Sequence, residues 1–114
     1  MIQTLNFEQQ QLLHTAPYKW IYTRIGIGAS DATPAEAILF GHTLTDRELR
    51  RYIETMRRSG IIIASSSKGY YFPSNYTELA KYVHMMESTA KSTFYTLKGA
   101  RKMLKELEEA DRSV

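Results

Sequence analysis

The apolar positions of the chain keep a helical period, switch to a strand-like one, then return to a long helical one. Over residues 45–59, Leu49, Tyr52, Ile53 and Met56 fall on one stripe at helical spacing. Thr45 and Glu48 form a T-x-x-E capping box, which would satisfy two free backbone donors at the start. Gly60 stands just past the last turn, where a left-handed cap is commonly needed. These signals predict a helix with one face built for burial. At ~100° per residue the opposite side carries Arg47, Arg51, Glu54 and Arg58, with Arg50 on its flank. Then the period changes. Ile61, Ile62 and Ile63 are β-branched, and Tyr70, Tyr71 and Phe72 are aromatic, so both groups favour strands. The polar stretch 64–69, which includes Ser65, Ser66, Ser67, Lys68 and Gly69, predicts a hairpin turn between them.

The remaining segments are assigned around this centre. Residues 6–14 predict a short first helix, with Asn6 as its cap, Phe7, Leu12 and Leu13 as its apolar side, and Pro17 as its end. Residues 18–27 are rich in aromatic and β-branched side chains and are expected to be extended, as a third strand beside the hairpin. A helix over 18–24 is the alternative, and Trp20 and Ile25 are expected in the core. Gly26, Gly28, Ser30 and Asp31 predict a loop. Thr33 as cap and Pro34 at the first helical position start another helix, with Ala35, Ile38, Leu39 and Phe40 as apolar contacts and Gly41 as its stop. The link 41–44 then leads into the arginine-bearing helix, which is the order of a helix-turn-helix.

After Phe72, Pro73 breaks the strand, and Asn75 with Glu78 forms a further capping box. From there Leu79, Val83, Met86, Ala90, Thr93, Leu97, Ala100, Leu104 and Leu107 step by four and three, a heptad seam kept for about four heptads. A helix over 76–109 would be about 50 Å long. Its stripe needs a cover. A second copy of the chain is the simplest one, and a bend near Gly99 with the last part folding back is the other. The last ten residues, KELEEADRSV, are expected to fray. The fold class expected is α+β, mostly helical: a winged helix-turn-helix over 1–75, followed by a long C-terminal helix over 76–114 as a dimerisation or fold-back element.

Composition narrows the class. The chain has 114 residues, 43% of them hydrophobic, enough for a modest single core. No apolar run approaches the ~20 residues needed to span a bilayer. The opening MIQTLNFEQQQ has no basic region followed by an apolar stretch, so no secretory leader is expected. There are no cysteines, which excludes disulfides and thiolate metal sites and fits a cytoplasmic protein. Net charge is only +3, but it is unevenly spread. Residues 1–44 carry two basic and three acidic side chains, residues 45–75 six and three, residues 76–114 seven and six. The excess sits on the central segment and points to an anionic partner there.

The arginine face is the sharpest chemical signal. In a DNA major groove, Arg47 and Arg51 would approach bases, Arg50 or Arg58 phosphates, and Glu54 would accept from a cytosine amino group or hold the arginines apart. The plain alternative is a solvated face with pairs such as Arg50–Glu54 and Glu54–Arg58. Ser65, Ser66, Ser67 and Lys68 would meet a phosphate backbone, or form an ordinary polar loop. The P-loop spacing is absent. Tyr70, Tyr71 and Phe72 have the composition of a base-stacking platform, but core packing is the better reading, for Tyr70 and Phe72 or for Tyr71 alone. His14, His42 and His84 lack metal spacing, though His42 stands where it would touch phosphate. Lys98, Arg101, Lys102 and Lys105 form a basic cluster best read as a solvated flank. No metal, cofactor or catalytic arrangement is expected, and nothing argues for an enzyme.

The stretch 33–105 resembles a family of small winged-helix proteins of phages and prophages of Gram-positive bacteria. The residues that carry this are LTDRELRRYIETMRRSG, the hairpin string IASSSKGYYFP, and the ELAKYV, MESTAKST and LKGARKML portions of the long helix. Residues 1–16 and Trp20, Ile21 and Tyr22 depart from the family pattern. The resemblance implies duplex DNA binding through Arg47, Arg50, Arg51 and the wing 65–69, and a phage role in replication or gene regulation within a bacterial host cell. Homodimerisation through Leu79, Val83, Met86, Ala90, Leu97, Leu104 and Leu107 would give two half-sites. The alternative expectation is a phage protein that uses the same scaffold to inhibit a host nucleic-acid enzyme or defence nuclease, in the manner of an anti-CRISPR.

Overall fold

The computed structural model describes residues 3–112. Met1 and Ile2, the first residues of the opening in which no leader is expected, and Ser113 and Val114, at the end expected to fray, lie outside the described residues. The elements in chain order are α1 (Phe7–Leu12), α2 (Tyr18–Arg24), β1 (Gly26–Ile27), a 3-10 turn (Ala29–Asp31), α3 (Ala35–Leu39), α4 (Asp46–Arg58), β2 (Ala64–Ser66), β3 (Gly69–Phe72) and α5 (Tyr76–Arg112). This is an α+β chain with a three-stranded sheet and a long C-terminal helix. It divides into two units between Leu79 and Ala80.

In the first unit α4 carries the packing. Leu49, Ile53 and Met56 are buried, and with Ile21, Ile25, Ile38, Ile61, Ile63 and Phe72 they form the core. The predicted caps are formed. The Thr45 side chain accepts from the Glu48 amide and the Glu48 carboxylate accepts from the Thr45 amide. Gly60 takes a φ of 97°, the left-handed value that follows a helix end. Fully burying each core isoleucine or leucine stabilises the fold by about 1.5–3 kcal/mol, so α4 is held by its apolar stripe far more than by its caps.

Residues 18–27 are not a strand. Tyr18–Arg24 is helical, the alternative reading, and the strand is confined to Gly26–Ile27, pairing parallel to β3 with Gly26 opposite Tyr71. Propensity pointed to a strand, but Tyr18, Ile21, Tyr22 and Ile25 repeat at helical spacing and pack on the core. Packing overrides a propensity of a few tenths of a kcal/mol per residue. Trp20 is only half-buried, stacked on His42 with ring centroids 3.6 Å apart.

Ile61, Ile62 and Ile63 are not a strand either, although Ile61 and Ile63 are fully buried. Their backbone groups are engaged elsewhere. The Ile61 amide donates to Met56 O. The Gln3 side-chain amide bonds both backbone groups of Ile62, at 3.0 and 2.9 Å. Arg57 Nε donates to Ile63 O at 2.9 Å. The hairpin therefore begins at Ala64 and is tighter than expected. Ser65 and Ser66 lie on β2, paired with Tyr70 and Gly69, and the turn itself is Ser67 and Lys68. In β3, Tyr70 and Phe72 join the core, and Tyr71 is buried outside it.

Three smaller expectations also change. Thr33 does not cap α3. Its hydroxyl accepts from the Gly26 amide and its backbone bridges Tyr70, while Pro34 stands at the cap position. Phe7 and Phe40 do not pack, being 73% and 80% exposed. The buried residue of α1 is instead Gln9, 8% exposed, which closes the Asn6 capping box and donates to Ser59 O at 2.9 Å. Asn75 accepts from the Glu78 amide as expected, but the Glu78 carboxylate accepts from Ser74 and from the Ala29 amide.

α5 is one continuous helix through Gly99 to Arg112, beyond the predicted end at 109. None of its residues is buried. Among the described residues no helix is long and apolar enough to cross a membrane.

Candidate nucleic-acid interface

Positions 47, 51, 54 and 58 step by four, three and four, so their side chains form one stripe along α4, about 16 Å long. The structure brings all five predicted residues of this face together. Arg47, Arg50, Arg51, Glu54 and Arg58, joined by Thr55, line one open hollow. Thr55 was missed, although its spacing of four from Arg51 puts it on the same stripe; its hydroxyl donates to Arg51 O at 3.1 Å.

The five charged groups are not equivalent. Arg50 pairs with Asp46 at 3.0 Å, not with Glu54, and Arg58 pairs with Glu54 at 3.5 Å as expected. Both pairs are exposed and of the i,i+4 kind, worth about 0.3–0.5 kcal/mol. A phosphate would break them at little cost. Arg47 and Arg51 have no ion-pair partner among the described residues. Arg57 serves the fold instead, through its bond to Ile63 O. Asp46, Arg50 and Arg57 mark the side of α4 that faces β3, where all three influence Tyr70. Burial pushes the Tyr70 phenol above its ordinary value; Arg57 and Arg50 act against this and Asp46 with it.

The hairpin residues gather elsewhere. Ser65, Ser66, Ser67 and Lys68 are exposed and line a second hollow with Gly69, Tyr70 and the start of α3 from Pro34 to Glu36. The Lys68 amide donates to Ser66 Oγ at 3.2 Å, which stiffens the tip. The two predicted sets therefore occupy separate hollows on one unit. The second also contains the carboxylate of Glu36, which opposes an anion there. Of the predicted dimer residues, Leu79 is half-buried in the first unit, while Val83, Met86, Ala90, Leu97, Leu104 and Leu107 are exposed on α5.

Arg24 closes the end of α3 and has no sequence signature. Its Nη1 donates to Ile38 O at 2.8 Å and Phe40 O at 2.6 Å, and its guanidinium lies 5.4 Å from the Trp20 ring. It thus caps the end of α3 while Trp20 holds His42 in the turn. Arg24→Ala is expected to cost about 1.5–3 kcal/mol, the range for hydrogen bonds from a charged donor, as a lowered urea midpoint. Arg24→Lys should restore only part, because an ammonium lacks the planar fork.

Among the described residues no cluster of three or more His, Asp or Glu converges to hold a metal ion. The chain matches no protein-family model, no curated protein and no solved structure.

Proposed function

We propose that this is a DNA-binding protein of winged helix-turn-helix type. In this reading α3 and α4 are the helix-turn-helix, α4 is the recognition helix, and the hairpin β2–β3 is the wing. The observation that carries it is the exposed three-turn stripe on α4, where Arg47 and Arg51 have no ion-pair partner among the described residues and Arg50 and Arg58 are held by weak surface pairs. A helix about 10–12 Å across fits a major groove about 12 Å wide, and the stripe runs about 16 Å along it. Guanidinium groups suit both guanine edges and phosphates. The wing supplies hydroxyls and Lys68 for a neighbouring backbone segment. A second copy joins through α5. The role is that of a phage-type regulator or replication accessory acting in the cytoplasm of a bacterial host, without catalysis.

Binding of a fluorescent random-sequence duplex by the native chain and by an Arg47→Ala/Arg51→Ala variant tests this. A second reading, inhibition of a host nucleic-acid enzyme or defence nuclease, draws on Phe40. This large apolar side chain is 80% exposed in the turn that leads to α4, a surface that a protein partner would cover and a duplex would not.

A further inference from the structure

The flanks of the α5 seam carry an orientation. With Val83, Ala90, Leu97 and Leu104 at heptad position a and Met86, Thr93, Ala100 and Leu107 at d, every lysine of α5 from Lys81 to Lys105 falls on an outward b or f position. The seam's g flank is Tyr82, Thr89, Thr96, Met103 and Ala110, with no charge. Its e flank is Ala80, Glu87, Phe94, Arg101 and Glu108.

We infer that α5 pairs with α5 of a second copy, antiparallel, in the register that sets Phe94 opposite Phe94 on the two-fold axis. Parallel pairing would set e against g of the partner, leaving Glu87, Arg101 and Glu108 facing only uncharged residues. Antiparallel pairing sets e against e. In the Phe94 register Glu87 meets Arg101 of the other copy, and the same contact repeats across the axis, as a closed two-fold interface requires. The seam layers then join Val83 to Leu107, Met86 to Leu104, Ala90 to Ala100 and Thr93 to Leu97. Sliding the helices by one heptad in one direction brings Glu87 against Glu108. Sliding in the other brings it against Phe94. Of these three registers the Phe94 one matches opposite charges, and it keeps four seam layers, whereas the more distant slide that sets Arg101 against Glu108 leaves the helices overlapping only at their ends.

The occupant is thus a second copy, argued from charge complementarity along a face that is exposed: Phe94 is 60% accessible. The inference deepens the dimer part of the proposed function and is independent of DNA. Its test uses the cysteine-free chain. Tyr95→Cys and Lys81→Cys, both on outward positions, are each spin-labelled in the full chain. At 1.5 Å per residue, antiparallel pairing offsets the two Lys81 positions by about 42 Å along the axis and the two Tyr95 positions by almost nothing, so the Lys81 distance is about 25–30 Å longer. Equal short distances would overturn the orientation while leaving a dimer, and the absence of any coupling would overturn the dimer with it. By sedimentation equilibrium, Glu87→Arg and Arg101→Glu should each weaken association roughly tenfold, and the double swap should restore it. Failure of the double swap to restore association contradicts the register.

Discussion

Replacing Arg47 and Arg51 together by alanine is expected to weaken binding to duplex DNA by about 10- to 100-fold, with thermal stability unchanged. The two guanidinium groups lie one turn apart on the exposed face of α4 and have no ion-pair partner among the described residues. Removing them frees no buried carboxylate and opens no cavity. Surface changes of this kind stay within about 0.5 kcal/mol in stability. In a groove each arginine contributes about 1–3 kcal/mol when it reaches a guanine edge. One that reaches only a phosphate lowers the salt slope by about 1. The variant therefore also tells bases from phosphates. Selective loss on preferred sequences marks base contacts, and uniform loss with a shallower salt slope marks phosphate contacts. Equilibrium anisotropy with circular dichroism melting provides both readouts.

The second large effect is on the fold. Gly69→Ala is expected to destabilise the first unit by about 3 kcal/mol or more, the range for strained backbone with steric overlap. Gly69 has a φ of 131°, which side-chain-bearing residues rarely adopt. A Cβ there would also collide with the Thr33 carbonyl. The neighbouring Tyr70 exchanges both backbone hydrogen bonds with Thr33, at 2.8 and 2.9 Å, so the collision falls where the segment before α3 is stitched to the hairpin. The apparent melting temperature should drop by about 12 °C or more at 4–8 °C per kcal/mol. Ser67→Ala, two residues away at the exposed tip, should leave it within a degree or two. The pair of variants thus separates the glycine's backbone role from any role of the hairpin surface.

Why the hairpin needs that glycine could be anticipated only in part. Signals local in sequence were legible: the Thr45–Glu48 box, the Leu49, Ile53 and Met56 stripe, the Gly60 stop, and the arginine face that follows from helical geometry alone. The misassigned segments are those whose partners are remote. Ile62 is kept out of a strand by Gln3, which is 59 residues away. Thr33 is drawn from a helix cap to Tyr70. Residues 18–24 form a helix because their apolar side faces a core assembled mostly from later elements. Arg24 and Gln9 serve as backbone caps across the unit, and nothing in their immediate neighbours marks that use. The arginine half of the candidate site was therefore readable. The position of the hairpin tip beside α3, apart from the arginine hollow, was not, because it depends on that one bridge between Thr33 and Tyr70.

Whether the arginine face of α4 meets the phosphates and bases of duplex DNA is read from the anisotropy of the native chain with a random-sequence duplex, over a series from about 50 to 200 mM salt. For about four phosphate contacts, binding should be measurable at low salt and fall on the order of a hundredfold across the series. A chain that ignores the duplex at about 50 mM salt, or binds it with no salt dependence, would rule out this use of the arginine face.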